Sequence, residues 1–439
     1  MNKKSVVYNS FLTVVRQLVG IALGMISAMI IARTLGVEGQ GKYALVVLLP
    51  NVLYTIFNMG IAPATVYYIG KKKFALENVF KMNLLLALVL SLVTIIVGIL
   101  FIVFFHEQFY ESVPLQAMCM ILCVLPFLFL NKNLQVIFQG REQFEKFNIV
   151  VILNQAGLLL FSTLFLLVLD FELVGALLAF ILTQILMLLG VFYFLRTEFQ
   201  LRLSSGSISI DYLKASIVYG MKGHLSNILA FINYRIDLFI IAYFLNDAAV
   251  GLYSIAVSIV ERIWIVSQSV SAVLFARVSN LSTDQERANF TAIVSRNVMF
   301  ISLLAGGFLF FLGGWIITTL FGEAYTDSIT PFLYLIPGVV LLSYARILSH
   351  FFAGIGRPEI NTYVASFTTL LNISLNIYLV PKFGVKGAAI ATSITYASNM
   401  IIKSTIFGWK NKVSVIDFLI IKPSDLLLYQ RYFNKVFRR

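Results

Sequence analysis

Apolar runs separated by short polar breaks set the pattern of this chain. A helix needs roughly 20 apolar residues to cross the hydrocarbon of a bilayer. Runs of that length recur at about 9–33, 43–69, 79–105, 114–138, 148–169, 173–195, 213–245, 250–276, 297–321, 329–352, 361–381 and 386–409. They predict an all-α integral membrane fold of about twelve transmembrane helices. No soluble domain of any size fits between them. The first run lacks an A-x-A cleavage pattern, so it reads as a retained helix rather than a signal peptide.

The pattern repeats once. Residues 31–43, IARTLGVEGQGKY, return at 241–253 as IAYFLNDAAVGLY, with Ile31/Ile241, Ala32/Ala242, Leu35/Leu245, Gly41/Gly251 and Tyr43/Tyr253 in register. GALLAFILT at 175–183 has its echo in GAAIATSIT at 387–395. Two echoes at nearly one offset imply two related six-helix lobes. An even number of helices per lobe inserts both the same way, which predicts a pseudo-twofold axis along the membrane normal. The expected organisation is an N-terminal lobe over 1–200, a cytoplasmic linker over 201–212, a C-terminal lobe over 213–409 and a cytoplasmic tail over 410–439. The linker, with SSGS at its centre, suits a flexible connection. Beyond Lys422-Pro423-Ser424, an amphipathic stretch near residues 429–439 suits a helix lying on the inner leaflet. Pro50 and Pro63 are expected to kink the second span, as Pro114, Pro126, Pro331 and Pro337 do the fourth and tenth.

Composition agrees: 59% of residues are hydrophobic and 12% charged, which excludes a soluble globule. The net charge of +13 at first suggests a nucleic-acid partner. With the N-terminus in the cytoplasm, however, the cytoplasmic loops and tails take most of the 33 Lys and Arg. The opposite loops hold only Arg33, Lys42, Lys382 and Lys386, and are rich in acids instead. By the positive-inside rule both termini are expected in the cytoplasm, and the basic balance reports topology rather than nucleic acid. Cys119 and Cys123, four apart on one helix face, read as packing residues.

Ionisable groups inside spans are costly unless they face protein or water, so each is a candidate site. Arg16 lies well inside the first span. The seventh carries Lys222, His224, Arg235 and Asp237, and the eighth carries Glu261 and Arg262 near its middle. Arg346, His350 and Lys403 lie in the tenth and twelfth, the last two near the cytoplasmic ends, where snorkelling suffices. Arg235 and Asp237 are two apart and Glu261 and Arg262 adjacent, so neither pair shares a helix face. Their partners must come from other helices; Asp237 with Arg262 is one such pairing. Arg16, Lys222, Arg235 and Arg262 together suit an anion such as a phosphate or pyrophosphate in a water-filled cavity. Asp237 and Glu261 would balance charge or carry coupling protons. No P-loop, metal-ligand cluster or nucleophile elbow is present, so neither a cofactor, a metal nor an enzyme activity is expected.

The opening NSFLTVVRQLVGIALGMISAMIIARTLGVEGQGKYAL, the loop QGREQFEKFN at 139–148 and INYRIDLFIIAYFLNDAAVGLYSIA at 232–256 resemble the polysaccharide repeat-unit (Wzx-type) flippases of the MATE/oligosaccharide-flippase superfamily. The resemblance spans essentially the whole chain. It implies two six-helix lobes around a central cavity that alternates between the two sides of a bacterial cytoplasmic membrane. The implied cargo is an undecaprenyl-diphosphate-linked oligosaccharide turned to the outer leaflet, with membrane lipids and polysaccharide polymerase machinery as partners. Related lipid II flippases use arginines in their first, second and eighth helices. Arg16 and Arg262 match the first and eighth, but no Arg or Lys falls between residues 43 and 69, which counts against lipid II as cargo. A proton- or sodium-coupled exporter of cations is the alternative, resting on Asp237 and Glu261. A membrane glycosyltransferase or polymerase would need a longer outer loop than 106–113.

Overall fold

A computed structural model gives the backbone of residues 3–412 and 414–425, with side chains described over that range except at 3–18, 272, 273, 276, 415 and 416. Among the described residues every regular element is helical. Ten helical stretches among the described residues are long and apolar enough to cross a membrane, and the chain is a multi-pass membrane protein. Val103, Phe104 and Phe311 turn outward, 70%, 68% and 83% exposed. Such surface is stable against lipid tails rather than water, and helices satisfy their backbone groups there without solvent.

Two of these helices are long enough for two crossings. α1 (Lys3–Phe57) and α13 (Glu359–Asn411) hold 55 and 53 residues, about 80 Å each at 1.5 Å per residue. Each leaves helical geometry at one glycine in the left-handed region, Gly36 (φ 67°) and Gly384 (φ 59°). Only glycine adopts that conformation without steric cost. Both lie where the hydrophobic pattern places connections, at 33–43 and 381–386.

The expected second span breaks at a place the prolines do not mark. Pro50 stays inside α1, which runs on to Phe57, and α2 restarts at Ile61–Gly70. Between them Met59 and Gly60 take φ of 51° and 66°, while the Asn58 side chain accepts from the Gly60 N–H at 2.9 Å. Pro63 falls in the first turn of α2, where a missing N–H costs nothing. α3 (Leu76–Phe109) follows. The fourth span divides into α4 (Leu115–Leu122) and α5 (Leu125–Gly140), with Pro126 in the first turn of α5. α6 (Phe144–Ser162) runs into a π-helical turn, and α7 (Glu172–Phe199) closes this stretch.

The chain forms two compact units. The first comprises Met1–Phe231 and Asn246–Gly251, so its boundary falls inside α8 (Ile210–Phe244). Its core is polar at the centre. The Tyr212 hydroxyl donates to Asn83 Oδ1 at 2.9 Å, and Asn83 Nδ2 donates to Thr65 Oγ1 (2.9 Å) and to the Asn133 carbonyl (3.1 Å). Thr65, Asn83 and Tyr212 are fully buried, where only satisfied polar groups are tolerated. The 201–209 connection, expected to be flexible, is held to the start of α3. Ser207 N–H donates to Asn78 Oδ1 at 2.9 Å, and Lys81 Nζ donates to the Leu203 carbonyl at 3.1 Å.

The repeated glycines also meet in this unit. A Cβ at Gly41 would collide with the Asp247 carbonyl, and one at Gly251 with the Val37 carbonyl. Gly41 and Gly251 are matched positions of the repeat, as are Val37 and Asp247, so the close approach is reciprocal.

The second unit comprises Ile232–Leu245 and Leu252–Arg439. α9 (Asp247–Val260) and α10 (Trp264–Asn280) are joined by one tight 3₁₀ turn, Glu261–Ile263. α11 (Asp284–Phe321) starts with a capping box, Thr283 accepting from Glu286 N–H at 3.2 Å. A 3₁₀ turn leads to α12 (Ile329–Gly354). Phe351, Phe352, Phe407 and Phe418 pack edge to face beneath α12 and α13. The short α14 (Val415–Leu419) and the turn after it are fastened to α11. Arg296 Nη2 donates to Asp425 Oδ1 at 2.6 Å, its Nε to Asp425 Oδ2, and its Nη1 to the Asp417 carbonyl at 3.1 Å. The amphipathic stretch expected near 429–439 lies outside the described residues.

Candidate functional site

Of the charged residues expected to matter in the seventh and eighth spans, Arg235, Asp237 and Glu261 come together in the second unit, beside the tight turn between α9 and α10. Adjacent residues of a helical turn point about 100–120° apart, so Glu261 and Arg262 meet different surroundings. Glu261 turns in toward α8 and Arg235 meets it with a two-pronged contact, Nη1 to Oε1 at 2.7 Å and Nη2 to Oε2 at 2.8 Å. The two side chains are 30% and 17% exposed. A forked guanidinium–carboxylate pair of this kind is the strongest ion pair available to side chains.

Arg262 is exposed and has no ion pair or hydrogen bond among the described residues.

Among the described residues Asp237 does not pair with Arg262, the example the spacing offered, or with any other cation at salt-bridge distance. Its Oδ1 accepts from the Leu238 N–H at 2.9 Å and its Oδ2 from the Tyr253 hydroxyl at 2.6 Å, with Thr392 Oγ1 more distant at 3.4 Å. Asp237 is 2% exposed. Asp237 and Glu261 both border a cavity of about 10 Å³, lined also by Tyr234, Thr392 and Tyr396. That is room for about one water.

Three aromatic rings make the next layer. Trp264 lies 5.2 Å from Tyr234 and 6.2 Å from Tyr396, centre to centre. The Arg346 guanidinium sits 4.8 Å from the Trp264 ring centre, the geometry of a cation–π contact.

In the first unit, Lys222 of α8 is exposed and has no ion-pair or hydrogen-bond partner among the described residues. His224, two residues on, is 4% exposed and shares a 2.9 Å hydrogen bond with the Ile56 carbonyl, so it is a structural residue of that unit. The Arg16 side chain lies outside the described residues. One cation escaped the sequence reading: Lys132 in α5, between the buried Asn131 and Asn133, exposed and likewise without a partner among the described residues. A lone Lys well inside an apolar run was the available signal. Tyr253 was noticed only as a repeat position, and its bond to Asp237 follows from the turn between α8 and α9. Among the described residues no group of three His, Cys, Asp or Glu side chains is placed to hold a metal ion.

The chain is similar to a probable low-salt glycan biosynthesis flippase of Haloferax volcanii, 25% identical over 195 residues, or 44% of this chain. It spans 40% of that relative's length. Among solved structures, the lipid II flippase MurJ in an inward closed conformation matches with a TM-score of 0.76 at 16% identity, covering 97% of this chain and 93% of that one. An inward-facing multidrug resistance MATE family transporter of the MOP superfamily matches with a TM-score of 0.74 at 19% identity, covering 91% and 97%. At these identities the likeness is one of fold, and the fold is that of MATE and MurJ. Residues 30–330 match the family model described as "Polysaccharide biosynthesis protein"; with well over half its length inside that match, the chain belongs to the polysaccharide biosynthesis protein family.

Proposed function

We propose that this protein is a flippase. It would carry undecaprenyl-diphosphate-linked oligosaccharide repeat units from the cytoplasmic to the outer leaflet by alternating access, for cell-surface polysaccharide synthesis. Family membership, a glycan-flippase relative and a fold shared with a lipid II flippase support that class of cargo. The bends at Gly36 and Gly384 are read as turns between successive spans, which would bring the ten long helices to twelve. Both termini would then lie in the cytoplasm of a bacterial cell, with polymerase machinery as a partner on the outer side.

One observation carries the choice of cargo. Glu261 is taken up by Arg235 and Asp237 is buried on a tyrosine, while Arg262, Lys222 and Lys132 remain exposed and unpaired among the described residues. The charge left over inside the spans is positive. That suits a diphosphate, for which guanidinium and ammonium donors are strong partners, and disfavours a cationic drug. Arg262 and Lys222, with Arg16, are assigned to the diphosphate, and Arg235 to holding Glu261. Asp237 and Glu261 keep the role of charge balance or ion coupling.

The test is transport by well-expressed variants. Arg262→Ala should lower flipping about tenfold or more, the scale of one charge-assisted hydrogen bond, and Arg262→Lys should recover part of it. Undiminished flipping in Arg262→Ala and in Lys222→Ala would sink the cationic-site reading.

A further inference from the structure

An aromatic platform lies in the first unit, where α8 passes α2. The rings of Tyr67 and Tyr219 stack 4.4 Å apart, centre to centre, at an interplanar angle of 17°. Tyr68 meets both at steep angles, 5.1 Å from Tyr67 and 5.9 Å from Tyr219. Phe74 and Tyr212 brace Tyr68 in turn, edge to face with it and with each other. The helices touch backbone to backbone beside the platform: a Cβ on Gly60 would strike the Gly220 carbonyl, and one on Gly220 the Met59 carbonyl.

The polar tips of these rings fall into two groups. The bracing rings are satisfied: the Tyr68 hydroxyl donates to the Ala215 carbonyl at 3.3 Å, and that of Tyr212 to Asn83. The hydroxyls of the stacked pair, Tyr67 and Tyr219, form no hydrogen bond among the described residues. Tyr67 is 40% exposed and Tyr219 half-buried, so both can be reached from outside. Tyr219 and Lys222 are three residues apart on α8, hence neighbours on one face of the helix. Lys222 is exposed and likewise without a partner among the described residues. Tyrosines that only anchor a chain at the membrane surface sit singly, with the ring against lipid and the hydroxyl in water. That role explains neither a stacked pair drawn from two helices nor the rings that brace it.

We propose that Tyr67 and Tyr219 are specificity-determining residues that hold the first sugar of the cargo. The proposal rests on the flippase reading, which assigns Lys222 to the diphosphate. In such a lipid the diphosphate is bonded directly to the first sugar, so a phosphate held at Lys222 brings that sugar to Tyr219, one turn away. The order along α8 is also the order of groups in the lipid. With the Lys71–Lys73 end of α2 in the cytoplasm, Lys222 lies deeper and the platform nearer the water, as diphosphate and sugar do in that leaflet. The chemistry matches as well. The C–H face of a pyranose packs on an aromatic ring, and its hydroxyls pair with free phenol tips, since tyrosine is apolar in its body and polar at its end. Tyr67, the more exposed ring, would carry the sugar, and Tyr219 would hold Tyr67 flat.

The experiment compares two lipids on the full chain in phosphatidylcholine nanodiscs: undecaprenyl diphosphate, and the same lipid bearing a single N-acetylglucosamine. Wild type should bind the sugar-bearing lipid more tightly. Tyr67→Leu should weaken that binding about tenfold, the scale of one aromatic stacking contact, and leave binding of the bare lipid unchanged. Tyr67→Trp keeps an aromatic face and should retain most of the affinity, while Lys222→Ala should weaken both lipids alike. Binding of the bare lipid by Tyr67→Leu separates loss of the platform from loss of the fold. Equal effects of Tyr67→Leu on the two lipids, or no effect on either, would overturn the proposal. So would a Tyr67→Trp variant that binds no better than Tyr67→Leu. A wild type that binds both lipids equally would remove the sugar platform and leave the flippase reading standing, whereas one that binds neither would remove both.

Discussion

Arg235 and Arg262 carry the same charge on consecutive spans, but only the first has a carboxylate. Removing Arg235 would leave Glu261, 17% exposed, without its partner. Arg235→Ala is therefore expected to lower stability by about 2 kcal/mol, between the values for exposed and fully buried pairs. Arg235→Gln combined with Glu261→Gln should be milder than the sum of the single changes, because no lone charge remains. A thermal-melting double-mutant cycle in detergent measures this, and strictly additive losses would contradict the pairing. The sequence showed that both acids need partners on other helices, because residues one or two apart cannot meet on a helix. It could not name the partners. Which of the adjacent Glu261 and Arg262 meets Arg235 depends on how α8 packs against that turn, which no local motif marks. Tyr253 takes Asp237 through a contact between two helices.

Among the elements, the breaks at Gly36 and Gly384 fall where the hydrophobic pattern placed connections, and Pro126, expected to kink the fourth span, starts α5. The stop before α2 was not legible, because it depends on Asn58 capping its own turn. The repeat glycines make a sharper prediction. Backbone carbonyls face the Cα of both Gly41 and Gly251, and no side-chain motion can clear a carbonyl. Gly251→Ala is expected to force the segments apart and cost about 1–3 kcal/mol, the scale of overpacking, with a lowered melting temperature as the readout. A melting temperature equal to wild type would mean the segments do not touch. Near the C-terminal end of the described residues, Arg296 holds the Asp425 carboxyl below the ordinary carboxylate range, against the opposing effect of burial. A depressed value means that the stabilisation is complete above the ordinary value of about 3.9. It is lost as pH falls through the lower folded value. Acid below pH ~4, or Asp425→Asn at neutral pH, should free the 417–425 segment, seen as faster amide exchange there. Unchanged exchange in Asp425→Asn would show that the pair does not hold the tail.

At the scale of the whole molecule, the hydrophobic pattern gave the all-helical membrane class, and the motifs gave a resemblance that the family match and the MATE and MurJ folds support. The periodicity that buries a helix against lipid is written in nearly every residue, so the fold class is redundant in the sequence. The site is written in a handful of charges whose meaning depends on which are neutralised. The central claim is that the unpaired cations serve a lipid diphosphate crossing from one leaflet to the other. Leaflet accessibility of lipid-linked glycan, in cells with and without this protein, tests it most directly. The account predicts that undecaprenyl-diphosphate oligosaccharide accumulates on the cytoplasmic side without the protein, and that wild type but not Arg262→Ala restores its outward exposure. An unchanged leaflet distribution in cells lacking the protein would contradict it.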